Sequence, residues 1–230
     1  VVAVAVVVLG IILLGIRLLH GLQQELVLEV SLNMSTLLDQ HGAVYVKGLL
    51  PVEFCQYFTH ALMRKSDEGK SGDSQIPNAK AIIDHEIMFD TLLERLWPTI
   101  ESLAGEELLP TYAYSRLYSN GDELIKHKDR DACEVSVTLQ LGRSHNYAWP
   151  IYAGNMRFDL AEGDGVLYKG CDVEHWREPC AGPEGYYSGQ VFLHYVKKNG
   201  DRAKEYADPM NRSRSRIRFV KDRTLIMEAK

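Results

Sequence analysis

The sequence predicts an α+β fold in which helices come first and back one sheet of a sandwich, barrel or jelly roll that follows. Three observations predict it. Apolar residues recur at helical spacing up to about residue 105, they alternate at strand spacing from Tyr112 onward, and turn residues break that second region at short, even intervals. The 230 residues, 46% apolar and 25% charged, suffice for one well-buried core and a short extra segment, so one globular domain is expected.

The elements follow in order. Val1 to Ile16 is apolar without a break, and Arg17 is the first charge. Extended through Leu19, the run reaches the lower limit for crossing a hydrocarbon core, about 17–25 residues. The expectation is a hydrophobic leader or membrane anchor over residues 1–20, with membrane association through residues 1–19. A signal peptide or a buried helix, in a soluble cytoplasmic or secreted protein, is the alternative. Ser35 to Gln40 reads as a short helix closed by Gly42, and Ala43 to Lys47 alternates as a strand. Pro51 opens a second helix, on which Phe54, Phe58 and Leu62 recur every four residues and are expected to face the core. Ser66 to Asn78 is polar and read as a loop. Met88, Leu92, Leu93, Leu96, Ile100 and Leu103 mark a further amphipathic helix, bent at Pro98 and ended by Gly105.

The strand region comprises Thr111–Tyr118, Glu134–Leu141, Trp149–Tyr152, Met156–Leu160, Gly165–Tyr168 and Tyr187–Val196. In the second of these, Val135, Val137, Leu139 and Leu141 fall on one face, and Ser136, Thr138 and Gln140 on the other. The apolar face is core; the other meets solvent or a polar pocket.

Charge and cysteine content exclude some functions. A net charge of -5 and a pI near 5.9 give no electrostatic reason to bind nucleic acid. The basic run Arg212 to Arg218 has no interleaved aromatic residue before Phe219 and reads as a solvated tail. Cys55, Cys133, Cys171 and Cys180 form no CxxC spacing, which argues against both a disulfide scaffold and a thiolate zinc site. Free thiols are expected, with a Cys171–Cys180 pair the alternative in an oxidising compartment.

The sharpest local feature is His127-Lys-Asp129, placed after the turn Ser119-Asn-Gly-Asp122 at the end of a strand. In an extended chain residues i and i+2 point the same way, so the imidazole and the carboxylate converge. They leave a metal half held. His175 is the candidate for the missing nitrogen ligand, from a distant strand. Two histidines and one carboxylate form the facial triad of non-heme Fe(II) oxygenases, with three positions open for reactants. A hydrolytic zinc site could use the same three ligands, although no general base is evident.

The segment from about Gly42 to Val196 resembles the prolyl 4-hydroxylase-like branch of the Fe(II)/2-oxoglutarate dioxygenases. The resemblance rests on Tyr114-Ser-Arg-Leu-Tyr118, His127-Lys-Asp129-Arg130, Glu134 to Leu141, Gly163-Asp-Gly-Val-Leu-Tyr168, His175-Trp-Arg177 and Gln190 to Tyr195. It implies a double-stranded β-helix (jelly roll) with N-terminal helices packed on one sheet. The oxygenase domain would span residues 21–198, with its jelly-roll core at about 111–198 and a C-terminal extension at 199–230. It further implies that His127, Asp129 and His175 hold Fe(II), and that 2-oxoglutarate chelates the metal beside a site for dioxygen. Oxoglutarate would be decarboxylated to succinate while a C–H bond of a peptidyl or small-molecule substrate is hydroxylated, with ascorbate a candidate accessory. Tyr118, Thr138 and Gln140 are the expected co-substrate contacts. The family usually pairs the distal carboxylate with Lys or Arg about ten residues beyond the second histidine. Gly185 and Tyr186 occupy that region here. Arg177 is the nearest replacement, with Arg143 and Lys169 behind it, and a surface bridge from Arg177 to Asp172 or Glu178 is its alternative role. A jelly roll that has lost catalysis and serves as a binding module is the competing reading of that departure. His194, in a strand beside aromatic residues, is expected to be a packed core histidine, and Asp164 a turn residue.

Overall fold

The computed structural model describes residues 33–66, 74–76, 81–84, 86–207, 217–219 and 225–227. The apolar leader, most of the loop read at Ser66 to Asn78, and most of the basic tail lie outside the described residues. Among those described, no helix is long and apolar enough to cross a membrane.

Helix α1 is described over residues 33–41 and stops at Gly42, whose φ of 74° is the left-handed conformation that glycine adopts without strain. Strand β1 (Ala43–Val46) follows, then α2 (Val52–Lys65), β2 (Ala81–Asp84) and α3 (Ile87–Ala104), which Gly105 caps at φ 72°. Two short 3-10 helices (Asp131–Cys133 and Ala203–Ala207) and these strands follow: β3 (Leu108–Ser119), β4 (Leu124–His127), β5 (Val135–Arg143), β6 (Ile151–Ala153), β7 (Met156–Phe158), β8 (Gly165–Tyr168), β9 (His175–Arg177), β10 (Tyr187–Lys197), and the pair β11 (Ile217–Phe219) and β12 (Leu225–Met227).

Two antiparallel sheets make up the jelly roll. The larger runs β1-β8-β5-β10-β3-β2 and the smaller β4-β9-β6-β7. The outer face of the larger sheet carries Val135, Val137, Leu139, Leu141, Leu167, Val191, Leu193 and Tyr195, which form one apolar core with Leu62, Phe89, Leu92, Leu93 and Ile100 of the helices. The helices therefore pack on one sheet, as expected. The inner face is unusual for a protein interior because it is largely polar: Ser136, Thr138, Gln140, Ser188, Gln190 and His194 are all buried there. Two smaller apolar clusters flank this polar band, one around Tyr118, Trp149 and Phe192 and one around Ile151, Val166 and Tyr168. Ser136, Thr138 and Gln140 thus face the interior and not solvent.

One expected face is corrected. On α2 the buried residues are Cys55, Thr59 and Leu62, whereas Phe54 is 56% exposed. The reason lies on the sheet. A Cβ at Gly142 would fall 2.6 Å from Thr59 Oγ1, and one at Gly189 would fall 3.4 Å from a Leu62 methyl. Two glycines open a groove that seats the Thr59 and Leu62 edge of the helix and turns Phe54 outward. Asp164 has the structural part assigned to it, because its carboxylate accepts hydrogen bonds from Tyr45 and from the Gly48 and Ala161 amides at 2.8 and 3.0 Å. All four cysteines are free thiols.

Candidate metal centre

The site begins with strand pairing. His127 ends β4 and stands directly opposite His175, which begins β9, so the two imidazoles share one end of the smaller sheet with ring centroids 4.2 Å apart. Asp129 follows His127 by two residues, and its backbone N–H donates to Gly170 O at 2.9 Å, which ties the loop after β4 to the loop after β8. The carboxylate is brought under both rings: Asp129 Oδ1 lies 3.6 Å from His127 Nε2 and 3.4 Å from His175 Nε2.

The tautomers follow from the backbone. His127 Nδ1 is 2.7 Å from Ile125 O, and His175 Nδ1 is 3.0 Å from Val173 O. A carbonyl can only accept, so each Nδ1 carries the hydrogen and each neutral ring turns its Nε2 lone pair inward. When both rings are neutral, two lone pairs face a carboxylate oxygen with no proton between them. That arrangement is repulsive unless a cation sits at their centre, and backbone carbonyls bonded to the far nitrogens are the usual support for metal-ligating histidines. Separations of 3.4 and 3.6 Å are long for hydrogen bonds but suit donors that share one small cation. The donor set of two neutral imidazoles and a carboxylate fits Fe(II) and leaves further positions open.

Gly170 makes room for this arrangement. A Cβ there would lie 2.3 Å from Cys133 O, 2.4 Å from Asp129 Oδ2 and 2.7 Å from Ser136 Oγ. Asp129, Cys133 and His194 are a second set whose ligand atoms lie within 4.8 Å of one another. There the Ser136 hydroxyl stands 2.9 Å from Asp129 Oδ2 and 3.0 Å from His194 Nδ1. His194 is buried as expected, with its ring 4.6 Å from that of Tyr112 and 5.6 Å from that of Tyr114. Burial pulls its pKa down to about 4.

The expected co-substrate residues meet inside the roll. Arg177 is buried on the same face of β9 as His175, about 6–7 Å further along the strand. Its guanidinium donates to Trp149 O and to Gln190 Oε1 at 3.0 Å, and lies over the Trp149 ring. Burial presses its pKa downward, and no described carboxylate pairs with it. Gln190 Nε2 donates to Gln140 Oε1 at 3.2 Å, and Gln140 Nε2 to Ser188 Oγ at 3.1 Å. Thr138 Oγ1 is 3.3 Å from Tyr168 Oη, and Tyr118, fully buried, packs edge-on against Trp149. The other two cations point elsewhere. Lys169 pairs with Asp39 at 2.7 Å, and Arg143 donates to Leu160 O at 3.4 Å. Neither does Arg177 bridge at the surface; Glu178 instead accepts from Trp176 Nε1 at 2.8 Å.

No protein-family model matches the sequence, and no curated protein matches it. Solved structures do. A Pseudomonas putida prolyl-4-hydroxylase superposes with a TM-score of 0.56 at 15% identity, over 76% of this chain and 100% of its own. A prolyl hydroxylase from Trichoplax adhaerens, in complex with a hypoxia inducible factor peptide fragment, superposes at 0.56 with 14% identity, over 80% of this chain and 94% of its own. The fold is that of the 2OG-Fe(II) oxygenases. The same oxygenase fold carries other chemistry: SnoN, a non-heme alpha ketoglutarate dependent epimerase from nogalamycin biosynthesis, superposes at 0.59 with 13% identity, over 73% of this chain and 82% of its own.

Several residues of this oxygenase fold went unread in the sequence. Ser136 was legible only as a member of a polar strand face. Gly170 carried no signal and Gln190 entered only as the start of the Gln190 to Tyr195 motif, because their importance lies in contacts with distant strands.

Proposed function

We propose that the chain is an Fe(II)- and 2-oxoglutarate-dependent dioxygenase that hydroxylates an unactivated C–H bond. The observation that carries this is the pair of inward Nε2 lone pairs, fixed by Ile125 O and Val173 O, converging on Asp129. When bound, Fe(II) and 2-oxoglutarate would supply the oxidising chemistry, consuming dioxygen and releasing succinate and carbon dioxide. The chain's own residues bind and orient. His127, Asp129 and His175 would hold the metal on one side. Arg177, a buried guanidinium bonded among the described residues to the neutral acceptors Trp149 O and Gln190 Oε1, would receive the distal carboxylate, since a buried dianion needs a cationic partner. Tyr118, Thr138 and Gln140, buried on the inner side of the larger sheet, would contact the same co-substrate, and the rings of Trp149 and Tyr168 would exclude water.

For the substrate we favour a peptidyl proline, on the motifs that resemble prolyl 4-hydroxylases and on the fold shared with the Pseudomonas putida and Trichoplax enzymes. The test is succinate formation by the full chain with Fe(II), 2-oxoglutarate and air, with and without proline-rich peptides. Peptide-stimulated succinate that vanishes in His175→Ala supports the whole reading. Succinate indifferent to every peptide keeps the reaction and moves the substrate to a small molecule. No succinate from a protein that binds iron overturns the proposal.

A further inference from the structure

Ser136 on β5 and His194 on β10 are direct cross-strand partners, and both are buried. The serine oxygen lies 2.9 Å from Asp129 Oδ2, 3.1 Å from Cys133 O and 3.0 Å from His194 Nδ1. It has one hydrogen to give. The carboxylate and the carbonyl can only accept, so a lone pair on His194 Nδ1 would leave three acceptors competing for one hydrogen. Nδ1 must therefore carry its own hydrogen and donate to Ser136 Oγ. The serine then donates onward to Asp129, where the charged acceptor makes the stronger bond. His194 Nε2 is left as the lone-pair side, buried and without a partner among the described residues. The ring is fixed by Tyr112 and Tyr114, and β10 departs from its register with β3 at this residue, between Leu193 and Tyr195.

We infer that Ser136 and His194 are positioning residues which occupy Asp129 Oδ2, so that Asp129 offers a metal only Oδ1. This rests on the reading of His127, Asp129 and His175 as metal ligands. Oδ1 is the oxygen 3.4 and 3.6 Å from the two Nε2 atoms, whereas Oδ2 is held by the serine and walled in by the close approach of Gly170. A carboxylate so held is a one-point ligand. Freed, it can rotate and occupy a second metal position, one of those the proposed reaction needs open.

The test titrates cobalt(II) into the full chain and its variants, following affinity and the visible ligand-field bands, neither of which depends on turnover. Ser136→Ala and His194→Leu should lose affinity about ten- to a hundredfold and shift the bands. His194→Asn, whose amide N–H can replace Nδ1–H, should keep the parent spectrum and stay within about threefold of its affinity. Ser136→Ala with parent affinity and spectrum overturns the inference, as does His194→Asn behaving like His194→Leu. Should His194→Leu not fold, Ser136→Ala, which removes a single oxygen, decides alone. A parent chain that binds no cobalt overturns the metal reading itself, a different result from any of these.

Discussion

Arg177→Met separates stability from ligand binding in a way that few substitutions can. The guanidinium is 2% exposed and bonded to two neutral acceptors, Trp149 O and Gln190 Oε1. Removing it leaves both acceptors unpaired, at about 1–3 kcal/mol each. It also relieves a buried ion with no anionic partner among the described residues, whose desolvation costs several kcal/mol. The two effects oppose each other and are of similar size, and Met preserves most of the volume beside Trp149. The unliganded variant should therefore unfold within about 2 kcal/mol of the parent. Affinity for 2-oxoglutarate should fall by about 2–5 kcal/mol, the cost of unpairing a buried charge, or roughly thirtyfold to several thousandfold. The assay is urea unfolding with and without 2-oxoglutarate and cobalt(II), with calorimetric titration of the same samples. In the parent 2-oxoglutarate should raise the unfolding midpoint, and in Arg177→Met that rise should disappear. A variant that binds 2-oxoglutarate as tightly as the parent would refute the reasoning.

Three further outcomes follow. Gly170→Ala should lower metal affinity at least about tenfold, because the new methyl must displace Asp129 Oδ2 or Ser136 Oγ, and should cost about 1–3 kcal/mol of stability; cobalt titration and urea unfolding check both. His194 has a folded pKa near 4 against an ordinary 6.5, so the unfolded chain binds more protons between those values. Its contribution, on the order of 3 kcal/mol, should be complete above about pH 6.5 and fade as pH falls toward 4, and His194→Gln should flatten the stability profile over that window. On α2, Leu62→Ala should cost about 2–5 kcal/mol, whereas Phe54→Ser should stay within about 0.5 kcal/mol, a contrast that urea midpoints will show and that the helical periodicity alone would not anticipate.

Local pattern decided a good deal. Period-two alternation in Val135 to Leu141 marked a strand with one apolar and one polar face, because side chains of an extended chain must alternate. The same rule placed His127 and Asp129 on one side of the chain, and Gly42 and Gly105 ended helices where only glycine enters the left-handed region freely. The helices, most of the longer strands, and the pair His127 and Asp129 were thus written in neighbouring residues. Other features depend on which strand lies beside which. Short β4 and β9 hold too few residues to show a period, yet their pairing sets His127 opposite His175. Whether Ser136, Thr138 and Gln140 met water or an interior was undetermined until the second sheet covered them. The same holds for α2, which has apolar residues on more than one side, so the glycines of β5 and β10 selected the face that packs. Ser136 reaches His194 across 58 positions of chain, and Gly170 matters only because Asp129 and Ser136 arrive beside it. A residue's period is a property of its immediate neighbours, but its register is set by hydrogen bonds to a strand distant in sequence, and tertiary structure alone supplies that partner.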